Sequence, residues 1–178
     1  DLIILAARPS VGKTALALDM ARNAAVHHGV PVAIFSLEMS RQQLVDRMLA
    51  SQSQVDAWKL RTAPHLLSID DELGRLQQGM HELMQAPIFI DDKPANTVMN
   101  MRSVLRRLNT DKPIGLIIVD YLQLMGTTKS YDNMVNQVTD ISRSLKALAK
   151  EFDAPVIALS QLNRAVESRG GRPRLSDL

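Results

Sequence analysis

From Leu2 to Ala6 the chain is apolar without a break, and it then passes through Ala7-Arg8-Pro9-Ser10-Val11-Gly12 into Lys13-Thr14, where a helical pattern begins. A strand that leads through a short loop into Gly-Lys-Thr and straight on into a helix leaves few folds open. Backbone N–H groups of such a loop and the positive end of the helix surround phosphates. The lysine reaches the outer phosphates and the hydroxyl after it binds magnesium. Gly-Lys-Thr recurs by chance, so the weight rests on the strand, loop, helix order. The motif GxxxxGK[S/T] expects glycine where Ala7 stands. Alanine does not freely take positive φ, so the loop entry reads as a variant built from ordinary backbone. Arg8, Pro9, Ser10, Val11, Gly12, Lys13 and Thr14 are the candidate nucleotide-binding residues, opening a helix whose apolar face includes Leu16 and Met20.

Elsewhere, short apolar runs alternate with amphipathic stretches, the pattern of a mainly parallel sheet with helices on both faces. Five runs read as buried strands: Leu2 to Ala6, Val32 to Ser36, Ile88 to Ile90, Leu116 to Val119 and Val156 to Ser160. Helical spacing links Leu73, Leu76, Met80 and Leu83, then Val98, Met101, Val104, Leu105 and Leu108. A further helix is expected over Val135 to Phe152, with Val138, Ile141, Leu145, Leu148 and Phe152 on one face and Arg143, Lys146 and Lys150 on a solvated one. Gly29 followed by Pro31 ends the first helix. At 178 residues the chain suits one α/β domain. Strand one starts almost at Asp1 and Ser176-Asp177-Leu178 reads as a helix start, so a core incomplete at both ends is expected.

Ligands of open parallel sheets bind beyond the carboxyl ends of the strands, which makes the polar residues there an independent test. Glu38, Asp91 with Asp92, Asp120 and Gln161 follow strands two, three, four and five. Asp120, after four apolar residues, fits a magnesium-holding carboxylate. Glu38 suits a base for an attacking water; an exposed residue ahead of the cap Ser40 is the other reading. Gln161 carries an amide that could report a terminal phosphate, or simply cap its strand. Asp91 and Asp92 read as turn formers ahead of Pro94 and a helix near Thr97.

Arg164, Arg169, Arg172 and Arg174 form a basic stretch with Gly170 and Gly171, open to two readings: a loop for a nucleic-acid backbone or a solvated tail. A net charge of +2 is too small to choose between them. Gly126 to Asn133 reads as a loop. The four histidines lack zinc-ligand spacing, Trp58 reads as a packing residue, and the nine methionines read mostly as core. The absence of cysteine agrees with a reducing compartment, and with no membrane-length apolar run or signal peptide the expectation is a soluble, cytoplasmic protein.

Ala6 to Thr14, Phe35-Ser36-Leu37-Glu38-Met39-Ser40, Asp120-Tyr121-Leu122-Gln123-Leu124-Met125, Ile141 to Lys150 and Pro155 to Arg164 together resemble the bacterial DnaB replicative helicase family. The likeness spans nearly the whole chain, more loosely from Val55 to Asn109, and alanine at position 7 is usual in that family. It implies a RecA-like P-loop NTPase fold and a homohexameric ring around single-stranded DNA, with ATP and magnesium used at subunit interfaces for 5′ to 3′ translocation. Primase and a helicase loader would be partners. Lys13 and Thr14 would bind nucleotide and magnesium, Glu38 would be the catalytic base, Asp120 the metal partner and Gln161 the phosphate sensor. The loops after strands four and five would face the channel.

The family's amino-terminal domain and arginine finger have no counterpart in these residues, so the fragment alone is expected to hydrolyse ATP slowly. A RecA-like recombinase or loader ATPase, and a noncatalytic ATP-binding assembly or DNA-binding module, are the competing readings. Intact Lys13, Thr14, Glu38 and Asp120 weigh against the last.

Overall fold

The structure, a computed structural model, describes residues 1–62, 65, 67, 71–126 and 134–162. Strands β1 (Leu2–Ala7), β2 (Val32–Ser36), β3 (Ile88–Asp91), β4 (Leu116–Asp120) and β5 (Val156–Gln161) form one parallel sheet in the order β1-β5-β4-β2-β3. All five expected strands are present, and β1, β3, β4 and β5 each run one residue further at the carboxyl end.

Alternation within β2, β4 and β5 explains why they are apolar throughout. Ala33, Phe35, Ile117, Val119, Val156 and Ala158 point to one face, where they meet α5 (Val98–Asp111) and α6 (Met134–Glu151) through Met101, Leu105, Ile141, Leu145 and Leu148. Val32, Ile34, Leu116, Ile118, Ile157 and Leu159 point to the other, against α1 (Lys13–Arg22) and α2 (Arg41–Ser53). Each face therefore has its own helix layer and its own core, the arrangement in which buried parallel strands lose the polar half of their pattern. Lys146 of α6 pairs with Asp1 at 2.7 Å, while Arg143 and Lys150 stay exposed, so the basic face is a solvated one as expected.

The edges of the sheet differ from the expectation of full burial. Among the described residues β1 pairs only with β5 and β3 only with β2, leaving Ile3 52% exposed and Phe89 partly open. The first helix also turns a different face inward: Leu16 and Met20 are 48% and 42% exposed, and Ala17, Leu18 and Ala21 do the packing. The reason is steric. Leu18 fills the space over the sheet and the small Ala17 and Ala21 beside it let the helix come close, so the inward face is the one centred on Leu18. After Arg22 the helix widens into a π turn over Asn23–His27 before Gly29, at φ 63, releases the chain toward β2.

α3 (Ala57–Thr62) and α4 (Glu72–Gln85) form an outer layer over α2. Gly79 is the only buried residue of α4, and a Cβ built there would meet the Ser53 backbone nitrogen at 3.2 Å. Backbone approaches backbone at this point, while Leu83 packs against the core that holds Leu44 and Met48 of α2, and Glu82 accepts from the Gln52 amide. Leu73, Met80 and Met84 face outward, and Met20 and Met99 join them, so the methionines divide between core (Met48, Met101, Met125) and surface.

Candidate nucleotide site

Gly12 is the N-cap of α1 at φ 93 and ψ 16, with no side-chain hydrogen bond closing the helix start. Ser10 is also left-handed, at φ 62. Left-handed residues in a loop can turn N–H groups toward an anion, and the first turn of α1 adds its own unsatisfied donors. Arg8, Pro9, Ser10, Val11 and Gly12 are all exposed, so the loop is open to solvent.

Thr14 lies in that first turn, and its hydroxyl donates to Asp120 Oδ2 at 2.7 Å. Asp120 ends β4, is 2% exposed, and its second oxygen, Oδ1, is buried without a hydrogen-bond partner. An ionised carboxylate with one orphaned oxygen is costly unless a cation or a donor completes it. The hard oxygens of Thr14 and Asp120 suit a magnesium ion, which takes few protein ligands and keeps water and phosphate for the rest. No group of three His, Cys, Asp or Glu among the described residues forms an all-protein metal cage.

The Lys13 ammonium sits 4.7 Å from the centroid of the Tyr121 ring. Partial burial pulls its pKa below the ordinary lysine value, while the charges of Asp120 and then Glu38 act in the opposite sense. Tyr121 is pushed up, by burial first and by the Glu38 and Asp120 charges after it. Lys13, Glu38, Asp120 and Tyr121 thus share one electrostatic neighbourhood. Glu38 is exposed and lies within the turn that follows β2, where the Ser36 hydroxyl donates to Met39 O at 2.7 Å and accepts from Met39 N–H at 3.1 Å. Ser40 then caps α2 in a reciprocal box with Gln43.

β5 runs between β1 and β4, so Gln161 arrives between the phosphate loop and Asp120. Its register partner on β1 is Ala7. Leu162 N–H donates to Ala7 O at 3.1 Å, and on the other side the Gln123 side chain takes up the Gln161 main chain. The sheet order therefore brings Lys13, Thr14, Glu38, Asp120 and Gln161 to one edge, as their places at strand ends require.

Asp91 ends the far strand and serves the turn after it, and Asp92 just beyond ties that turn to the start of α2. Asp91 accepts from Lys93 N–H at 3.1 Å. Asp92 accepts from Arg41 N–H at 2.8 Å, the bond that chiefly holds its carboxyl below the usual range. Trp58, expected to pack, is 55% exposed and lines a cleft of about 570 Å³ formed with α1 and α2. Arg164, Arg169, Arg172 and Arg174, most of the loop 126–133, and Ser176-Asp177-Leu178 lie outside the described residues. Sequence reading gave no role to Tyr121 or Gln123; the signal available was a polar side chain between Leu122 and Leu124, just after the strand that carries Asp120.

The family model described as DnaB-like helicase C terminal domain matches residues 1–178. The chain is 51% identical to the replicative DNA helicase DnaB of Geobacillus stearothermophilus over the whole chain and 39% of that protein. It is 51% identical to the DnaB of Synechocystis over 20% of that protein, and 48% identical to the replicative DNA helicase DnaC of Bacillus subtilis over 39%. It spans well under half the length of these relatives. Among solved structures, an ATPase domain superposes with a TM-score of 0.93 at 37% identity, covering 100% of this chain and 63% of that one. A DnaB-like replicative helicase studied for its interactions with primase gives 0.91 at 38% identity, covering 99% of this chain and 42% of that one.

Proposed function

The chain belongs to the DnaB-like helicase C-terminal domain family, and on that premise we propose that it is the RecA-like core of a replicative helicase motor, hydrolysing ATP to move along single-stranded DNA. The observation that carries the reading is the bond from Thr14 to the buried Asp120, whose other oxygen lacks a partner, set at the open start of α1.

In this reading the donors of residues 10–14 and the Lys13 ammonium bind the β- and γ-phosphates of ATP. Thr14 and Asp120 would hold magnesium, which when bound supplies charge neutralisation on the phosphate oxygens. Glu38 orients a water and takes its proton as the water oxygen bonds to the γ-phosphorus and the bond to the β,γ-bridging oxygen breaks, leaving ADP and phosphate. Gln161 donates its amide to a γ-phosphate oxygen, so its position differs between ATP and ADP states. A homo-oligomeric ring, DNA contacts from Arg164, Arg169, Arg172 and Arg174, primase and loader partners, and a cytoplasmic site of action belong to the same proposal. No helix among the described residues is long and apolar enough to cross a membrane.

Equilibrium binding of a fluorescent ATP analogue with magnesium, set against Lys13→Ala, tests the phosphate site. Binding lost in the variant supports it. Turnover by the full-length protein, with and without single-stranded DNA, tests the motor, and tight ATP binding without hydrolysis would sink it.

A further inference from the structure

β4 and β5 run side by side, with Ile117 to Val119 in register with Val156 to Ala158. Beyond Asp120 the β4 chain leaves the sheet through Tyr121 and a single 3-10 turn at Leu122–Leu124, so its main chain no longer pairs with the last residues of β5. The Gln123 side chain takes its place. Its Nε2 donates to Ser160 Oγ at 2.9 Å and to Gln161 O at 3.0 Å, and its Oε1 accepts from Gln161 N–H at 3.3 Å. A primary amide that both donates to and accepts from one residue's main chain reproduces the pairing of a peptide group, with donor and acceptor on separate atoms, which an ionised carboxylate cannot do. On the opposite side of the same strand end, Leu162 N–H donates to Ala7 O at the entry to the phosphate loop.

Gln161 is thus gripped on both sides at the point where the sheet ends and the site begins. A strand terminus with no such support frays, and a side chain on it samples many directions. We infer that Gln123 is a positioning residue for Gln161, holding its backbone so that its amide is presented to the terminal phosphate and a triphosphate is told from a diphosphate. This rests on the sensor reading of Gln161 given above. Gln123 touches no nucleotide in this account. It acts only through the residue it holds, much as the orienting partner of a ligand does in other preorganised sites.

The test compares the affinities of a fluorescent non-hydrolysable ATP analogue and of fluorescent ADP, both with magnesium, for the unmodified chain, Gln123→Leu, Gln161→Ala and Ser160→Ala, with thermal unfolding of each. Gln123→Leu removes all three bonds at similar volume. It is expected to lower the triphosphate-to-diphosphate affinity ratio by about three- to tenfold, the worth of one displaced hydrogen bond, while ADP affinity holds within about twofold. Ser160→Ala removes one bond and spares the Gln161 pairing, so its ratio stays within about twofold. If Gln123→Leu unfolds, Gln123→Glu, which loses the donated bonds but keeps the shape, is expected to show the same loss. An unchanged ratio in a folded Gln123 variant beside a reduced one in Gln161→Ala overturns the positioning role alone, as does an equal loss in Ser160→Ala. An unchanged ratio in Gln161→Ala overturns the sensor reading and this inference with it.

Discussion

The Thr14 hydroxyl donates to Asp120 Oδ2 at 2.7 Å, tying the first turn of α1 to the end of β4 across 106 positions of sequence. The two elements already pack through Ala17 and Leu18 against Ile118, and this bond fixes their ends at the place where a cation would sit. In Thr14→Ala both oxygens of a buried carboxylate lack a protein partner. Urea unfolding should show a loss of about 1–3 kcal/mol. The dependence of nucleotide binding on magnesium should fall at the same time, because the variant lacks one of the two protein oxygens proposed to hold the ion.

Lys13 gives a pH dependence whose sign follows from its surroundings. Burial lowers its pKa in the nucleotide-free chain below 10.5, and phosphates bound beside it would raise it again. A group whose pKa rises on binding favours binding while it is protonated in both states. Affinity should therefore be flat near neutrality and decline as pH climbs through the free-state pKa, by up to about tenfold per unit. Titration of binding between pH 7 and pH 10.5 checks this against Lys13→Arg, whose charge persists throughout that range. A decline shared equally by Lys13→Arg would assign the titration to another group.

Glu38 is expected to act in the chemical step and not in binding. Glu38→Gln keeps size and polarity but accepts no proton. In the full-length protein, single-turnover hydrolysis should slow by about 10²- to 10⁴-fold, with ATP affinity held within about twofold. Equal losses in both would place Glu38 in nucleotide binding instead.

Gly79 predicts a stability effect away from the site. Its Cβ position lies 3.2 Å from the Ser53 backbone nitrogen and 3.3 Å from the Ser53 Cβ, so a branched side chain there must push α4 off α2. Gly79→Val should cost about 1–3 kcal/mol in denaturant unfolding. Nucleotide affinity should be unchanged, since no proposed ligand of the nucleotide lies on α4.

Much of this was legible in the residues. Val32 to Ser36 and Leu116 to Val119 are unbroken apolar runs because helices flank both faces, and that pattern is local enough to read. The strand-end polar residues followed from the same logic, since a parallel sheet puts every carboxyl end on one edge. The exposed Leu16 and Met20 were not legible. Which face of α1 turns inward depends on how closely the helix approaches the sheet, and a helix with Ala17, Leu18 and Ala21 on one side and Leu16 and Met20 on another has two apolar faces to choose between. Gln123 was invisible for a different reason: its role comes from a strand that begins 33 residues later in the chain, at Val156. Gly79 likewise reads as a weak point in a helix until Ser53 is seen against it.

The order β1-β5-β4-β2-β3 has a consequence for the birth of the protein on the ribosome. Among the described strands, the first to be synthesised pairs only with the last. The phosphate loop is therefore made early but hangs from an unsupported strand until residues 156–161 emerge and slot between it and β4. A nascent or prematurely terminated chain has Lys13 and Thr14 without the framework that aims them, so on the proposed reading it is expected to bind ATP poorly. On the same reading, nucleotide capture would mark a chain whose translation has passed β5, with the ligand acting as a late seal on folding.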